Sequence, residues 1–312
     1  MRILVTGGSG FVGRFVCEDL LGRGHEVVAS IRSPAAARRL PAGVSGIHVA
    51  PLGPDTEWRP ALRDVQAVVH LAGLAHVLRG APDEAYDLAN TQGTVRLARQ
   101  ASDAGVRRFV FVSTVKGHGE GSPGRALEAS DPVHPGDAYA ASKARAEEAL
   151  LAQHGRGGMS VAIVRPPLVY GPGVKANFRR MMEMVARGVP LPLGSVRNRR
   201  SLVSVWNLCD FVFACLSSPH APGRAWLVSD DEDVSTPDLL RRLGVALGRP
   251  ARVFPFPPSI LRAVLAGIGM GPEFEKISES LFVNVEPARR ELGWQPRLTL
   301  AEGLARTVAA RG

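Results

Sequence analysis

Lysine, tyrosine and cysteine are scarce in this chain, and no hydrophobic run in it is long. Of 38 basic residues only 4 are lysine, and there are 3 tyrosines and 3 cysteines. Cys17, Cys209 and Cys215 are odd in number and lack metal-ligand spacing, which argues against a disulfide framework and a thiolate zinc site. No metal is expected, and the thiols suit a reducing, cytoplasmic setting. The apolar run from Ile3 stops at the glycines within a few residues, too short for a secretory signal. The longest later run, Ile260 to Met270, carries Arg262 and two glycines and is about half the length a bilayer span needs. It reads as a buried helix, and membrane insertion is not expected. The formal charge of +9 is spread along the chain, not gathered into a basic run. A nucleic-acid partner is therefore not expected, and a phosphorylated small molecule would be served as well by a few arginines.

What is present is an ordered alternation. Short β-branched runs at Ile3 to Thr6, Val27 to Ile31, Ile47 to Ala50, Ala67 to Leu71, Phe109 to Ser113, Val161 to Val164 and Ala225 to Ser229 are separated by helical stretches. The helices begin at Phe11, run from about Asp83 to Ala104, and include the segment holding Tyr139 and Lys143. This pattern predicts an α/β fold, a doubly wound parallel Rossmann sheet covered by helices on both faces. After Arg165 the regularity breaks into segments rich in Pro, Gly and Arg, as loops over a ligand cleft would be. Thr236-Pro237-Asp238 reads as a helix start with a hydroxyl cap, and Gly293-Trp294-Gln295-Pro296 as a helix end.

Gly7, Gly10 and Gly13 follow the first strand and open the first helix. Without side chains at those positions the backbone can approach a pyrophosphate held at the positive helix N-terminus, so a dinucleotide is expected there. The second strand ends in Ile31 and Arg32, where an acid would hold the ribose hydroxyls of NAD. Arg32, with Ser33 beside it, suits a 2′-phosphate, so NADP(H) is favoured and NAD(H) remains possible.

Tyr139 and Lys143 stand at i and i+4 of a helix and share a face. A phenol has an ordinary pKa of about 10; an adjacent ammonium is expected to lower it so that the tyrosine can exchange a proton with a substrate hydroxyl. Upstream, the strand ending in Ser113-Thr114 puts a hydroxyl at the carboxyl edge of the sheet, where it could hold the same oxygen. His70, His76 and His118 read as packed or surface side chains.

Together, Gly7/Gly10/Gly13, "HLAG" (His70 to Gly73), "VST" (Val112 to Thr114), "YAASK" and "RPPLVYGPG" (Arg165 to Gly173) resemble the extended short-chain dehydrogenase/reductases, in the branch of nucleotide-sugar epimerases and ketoreductases. The likeness runs to "ARRELGWQP" near the C-terminus. It implies a Rossmann domain of residues 1–168 plus about 203–231, and an interleaved substrate domain of about 169–202 and 232–312. By this resemblance Tyr139 is the acid/base, Lys143 its electrostatic partner and a ribose ligand, and Thr114 the hydroxyl on the reacting oxygen. Phe11, Val12, Leu52, Leu71, Ala72, Gly73, Pro166 and Val169 would line the cofactor, with Tyr170 also near its nicotinamide end. Asn177 and Arg200 would grip the nucleotide diphosphate, and a homodimer built on the helix near Asp83 to Ala104 and the Tyr139 helix is implied.

Three departures matter. Pro51 replaces an aspartate that many relatives carry near the adenine. Val115 and Lys116 stand where sugar 4,6-dehydratases of this family have an Asp-Glu pair, which disfavours water elimination. A second diphosphate-binding arginine has no clear counterpart, with Lys276 as a substitute. The resulting expectation is NAD(P)-dependent oxidoreduction at C4 of a UDP-linked sugar, best read as reduction of a UDP-4-keto-6-deoxy-N-acetylhexosamine. The alternatives are a UDP-hexose or UDP-N-acetylhexosamine 4-epimerase and, more distantly, a non-catalytic NADP-sensing regulator.

Overall fold

Residues 1–75, 82–122 and 124–310 are described by the computed structural model. Seven strands pair in one wholly parallel sheet: β1 (Arg2–Thr6), β2 (Glu26–Ile31), β3 (Ser45–His48), β4 (Ala67–His70), β5 (Arg108–Val112), β6 (Ser160–Arg165) and the strand Ala225–Leu227, here β9 because β7 (Leu168–Tyr170) and β8 (Leu202–Ser204) precede it. Their spatial order is β3-β2-β1-β4-β5-β6-β9, while β7 and β8 form a separate parallel pair. The chain crosses from β3 to the far side of β1 to make β4. A crevice therefore opens at the carboxyl ends of β1 and β4, where the strand order reverses.

The strands are apolar nearly throughout because both faces are covered. Ile3, Val5, Val27, Ala29, Val69, Val110 and Val164 pack with the helices Phe11–Gly22 and Val205–Ser217 on one face. Their neighbours Leu4, Val28, Val68, Phe109, Phe111 and Ile163 pack on the other face with Gly93–Asp103 and Ala138–Leu151. A third core, centred on Tyr170, Phe178, Leu240, Phe274 and Leu304, belongs to the C-terminal part. Phe11 packs against both the first and third cores, and Arg14 donates to the Pro172 carbonyl at 2.5 Å, so the first helix is fastened to the segment after β7.

The structure corrects some local readings. The expected single helix from about Asp83 to Ala104 contains a wider turn over Asp87–Gln92 between Asp83–Tyr86 and Gly93–Asp103. The cap of Thr236–Ala246 is Ser235, which accepts from the Asp238 amide at 3.2 Å, while the Thr236 hydroxyl donates to Ile277 O. The run expected as a buried helix is Pro258–Gly267, which buries only Leu261; Ile260 and Val264 are exposed because that helix lies over the third core with only one side. Gly293, at φ 63°, ends Glu286–Leu292 as expected. All three cysteines are buried free thiols, and no described helix is long and apolar enough to cross a membrane.

Candidate active site

The glycine turn is built by close backbone contact. A Cβ on Gly13 would lie 2.1 Å from the Gly7 carbonyl oxygen, and one on Gly7, whose φ is +71°, would lie 3.0 Å from the Ala72 amide nitrogen. The Gly10 amide donates to Gly7 O at 2.9 Å, and Gly10 caps the helix Phe11–Gly22 without any side-chain hydrogen bond. Bare amides thus face the crevice at the positive end of a helix dipole.

The loop after β4 is pinned beside this turn by Thr6. Its Oγ1 accepts from the amides of Leu71 and Ala72 at 3.2 and 3.1 Å and lies 2.6 Å from His70 Nδ1. His70 Nε2 reaches Thr94 Oγ1 at 2.8 Å, and its ring stacks on Phe111. Burial first, and then the Lys143 cation, hold His70 well below the ordinary histidine pKa, so it is a neutral bracket. Asn90 secures the end of the loop: its Oδ1 accepts from Leu74 N at 2.6 Å, and its Nδ2 donates to Leu74 O and to Ser142 Oγ. Gly73 leaves room for that amide.

Tyr139 is the second residue of Ala138–Leu151, whose start is capped by Asp137, and Tyr86 packs edge-on against its ring. Lys143, one turn on, is buried; its Nζ donates to Val112 O at 2.7 Å and sits 3.9 Å from the Phe111 ring centre. Burial drives its pKa down to about 7, although Glu147 pulls the other way. Tyr139 departs from expectation. Its phenol is raised to about 12 by burial and then by Asp137, not lowered by Lys143. The physical reason is that desolvation acts on both groups, and the amine is engaged with the β5 carbonyl and the Phe111 face.

Thr114 is buried and its Oγ1 accepts from Lys116 N at 3.2 Å, capping the short turn Val115–His118. The neighbouring Ser113 Oγ is buried and has no hydrogen-bond partner among the described residues. The Pro166 carbonyl accepts from Val115 N at 3.0 Å, and Val169 lies half-buried on β7. His118 packs its ring 2.8 Å from Arg165 Nη1, and Arg165 in turn pairs with Glu147. His76 lies outside the described residues.

Other expected residues are placed as follows. Arg32 is exposed just past β2, and Ser33 is occupied in capping Pro34–Ala37. Leu52 packs against Gly93, beside the exposed Pro51, and Val12 is half-buried in the first helix turn. Arg200 donates through Nη1 to the carbonyls of Lys276 and Glu279 at 2.9 and 3.1 Å and forms no salt bridge among the described residues. Burial lowers its pKa, offset in part by Glu120 and Glu279. Asn177 is half-buried at the start of Ala176–Ala186, and the Lys276 side chain is exposed. Tyr170 is not at the cleft: it is fully buried, donates to Asp230 Oδ2 at 2.6 Å and stacks on Phe178, because β7 turns its side chain into the third core.

Sequence reasoning missed Thr6, Asn90, Ser142 and Asp137. Only Asp137 left a local signal, an acid two residues before Tyr139 at a helix start.

Residues 3–228 match the model of the NAD dependent epimerase/dehydratase family. A UDP-glucose 4-epimerase of Vibrio cholerae is 38% identical over 99% of this chain and 94% of its own length. The crystal structure of a Thermus thermophilus UDP-glucose 4-epimerase complex with NAD superposes with a TM-score of 0.79 at 27% identity, over 100% of this chain and 99% of that one. A Bacillus cereus UDP-glucuronic acid 4-epimerase in complex with NAD gives 0.80 at 21% identity, covering 99% of this chain and 96% of that one, a likeness of fold.

Proposed function

The chain belongs to the NAD-dependent epimerase/dehydratase family, and from that premise we propose that it inverts C4 of a UDP-linked hexose or N-acetylhexosamine. The observation that carries this reading is the 38% identity, over nearly the whole of both chains, with a UDP-glucose 4-epimerase.

The crevice suits a nicotinamide dinucleotide. Its helix start has no side-chain cap, its glycines leave no space for a Cβ, and the buried Ser113 Oγ awaits a partner. Gly7, Gly10, Phe11, Val12 and Gly13 would hold the pyrophosphate end, Leu52 and Leu71 to Gly73 would flank the nucleotide, and Lys143, Pro166 and Val169 would meet the nicotinamide half. When bound, such a cofactor exchanges hydride with the sugar carbon.

This chain's own part is the proton. Tyr139 Oη gives a proton to the C4 oxygen as the phenol or takes one from it as the phenolate, and Thr114 Oγ1 steadies the same oxygen. Lys143, fixed on Val112 O, places an amine whose pKa burial lowers to about 7 one helical turn from the phenol. Arg200 has a guanidinium desolvated by burial and, among the described residues, no salt bridge, with Glu120 and Glu279 acting on it only from a distance; this favours a diphosphate, and Asn177 would add a neutral contact.

One observation favours a second reading. Arg32 replaces the acid expected at the end of β2 and is exposed to solvent, which suits NADP(H) and hence one-way reduction of a UDP-4-keto-6-deoxy-N-acetylhexosamine. The test is to incubate the purified chain with UDP-glucose, UDP-galactose and their N-acetyl counterparts and follow the anomeric protons by NMR. Consumption of NADPH absorbance with the 4-keto sugar is followed in parallel. Inversion without net cofactor consumption supports the first reading; stoichiometric oxidation of NADPH with no inversion replaces it with the second. Three buried free thiols favour a reducing compartment, and we assign the reaction to the cytoplasm. We also propose a homodimer paired through Gly93–Asp103 and Ala138–Leu151, which sedimentation would test.

A further inference from the structure

We propose that Lys116 is a positioning residue, which couples the turn bearing Thr114 to the start of the helix bearing Tyr139 through the carboxylate of Asp137. This rests on the C4 chemistry proposed above and names a residue that chemistry does not itself require.

The geometry runs through one side chain. Lys116 donates its amide to Thr114 Oγ1 at 3.2 Å, so its backbone orients one hydroxyl of the site. Its ammonium is 2.8 Å from Glu120 Oε1 and 3.5 Å from Asp137 Oδ2. Asp137 divides its carboxylate: Oδ1 accepts the Ala140 amide at 2.7 Å and fixes the first turn of the Tyr139 helix, while Oδ2 faces Lys116. Tyr139 is two residues past that cap, so a displaced cap displaces the phenol. A backbone bond from His134 N to Gly117 O, at 2.8 Å, ties the same two segments.

Charge gives Lys116 a second role. Asp137 is the anion that opposes ionisation of Tyr139 after burial itself. Asp137 is the charged group that acts on the phenol; Lys143 lies one turn along the same helix, Lys116 and Glu120 pair on the turn after β5 with Lys116 facing Asp137 Oδ2, and Tyr86 packs edge-on against the ring. Lys116 is the counter-ion that offsets Asp137. Glu120, its other partner, also acts on Arg200, so the network reaches the proposed diphosphate site. The bland alternative is a half-exposed surface ion pair, which contributes little to anything.

The experiment measures kcat and KM for the holoenzyme with a UDP-sugar from acid to alkaline pH in Lys116→Met, Lys116→Arg, Asp137→Asn and the Lys116→Met/Asp137→Asn double variant. Asparagine caps a helix nearly as well as aspartate, so the neutral cap removes charge and keeps the fold. Lys116→Met is expected to lose at least tenfold in kcat with KM within twofold. The rising limb of its pH profile should move to higher pH, because an uncompensated Asp137 opposes phenolate formation. Arg should restore the wild-type profile, and Asp137→Asn should move the limb to lower pH alone and in the double variant. Superposable profiles for wild type, Lys116→Met and Asp137→Asn overturn the proposal, as does a loss that Arg fails to rescue. If Lys116→Met does not fold, the Asp137→Asn shift decides. A wild-type chain with no C4 activity removes the functional reading and this inference together, whereas an active wild type with unmoved variant profiles removes only the inference.

Discussion

Lys143 Nζ donates to the carbonyl of Val112 at 2.7 Å, which locks a buried ammonium onto the last residue of β5. The bond joins the helix of the proposed acid/base to the strand that leads into Ser113 and Thr114. It also leaves a cation in a place with little water, and folding bears the cost.

That cost has a sign. The Lys143 pKa falls from 10.5 to about 7 in the folded chain, so the unfolded chain holds the proton more tightly. The destabilisation is complete below about pH 7 and is lifted as pH rises toward the unfolded value. Lys143→Met without cofactor is therefore expected to be more stable than wild type by a few kcal/mol near pH 6 and by much less near pH 9, since each tenfold change in proton affinity is ~1.4 kcal/mol. Urea denaturation at the two pH values checks this; an equal margin at both would contradict a buried, depressed lysine.

Tyr139→Phe should separate chemistry from folding. The phenol oxygen makes no hydrogen bond among the described residues, so its removal leaves no protein group unpaired. Turnover should drop by roughly 10²–10⁴-fold, with thermal stability within a degree or so of wild type. Retained turnover would remove Tyr139 from the mechanism.

The glycine turn offers a sharp contrast between two alanines. Gly13→Ala puts a methyl 2.1 Å from Gly7 O and should abolish dinucleotide binding, measured by calorimetry, or prevent folding. Gly22→Ala, in the same helix with nothing within 4 Å of its new methyl, should bind normally. It should gain up to about 0.5–1 kcal/mol in stability.

Arg32→Asp tests cofactor choice. Because Arg32 is exposed, the fold should be untouched while the ratio of NADP(H) to NAD(H) affinity falls by at least tenfold. Direct titration of both nucleotides decides; a wild type that already binds NAD(H) ten times more tightly ends the 2′-phosphate reading.

Arg200→Ala should raise KM for a UDP-sugar by tenfold or more with a smaller change in kcat, since the guanidinium is proposed to hold the diphosphate and not the reacting carbon. Product inhibition by UDP should weaken in step. An unchanged KM would leave Arg200 as a brace for the carbonyls of Lys276 and Glu279.

The glycine turn, the Tyr139–Lys143 spacing and the strand–helix alternation were readable because each is written in neighbouring residues. A turn that needs missing side chains, a helical face and a buried parallel strand all have local patterns. Asn90 holding Leu74 and Ser142, or Lys116 facing Asp137, had no such pattern, since the partners lie 16, 52 and 21 positions away. Tyr170 misled for the same reason: "LVY" predicts a strand but not which core that strand faces.

The amino-acid order alone thus determined that the chain forms a parallel α/β sheet with a phosphate-seeking turn at its start and a tyrosine and lysine on one helical face. Only the folded packing decided their electrostatics. It buried the lysine against Phe111 and Val112, raised the phenol by desolvation and set Lys116 against Asp137, because the cost of holding a charge depends on the water and dipoles that tertiary contacts remove or supply.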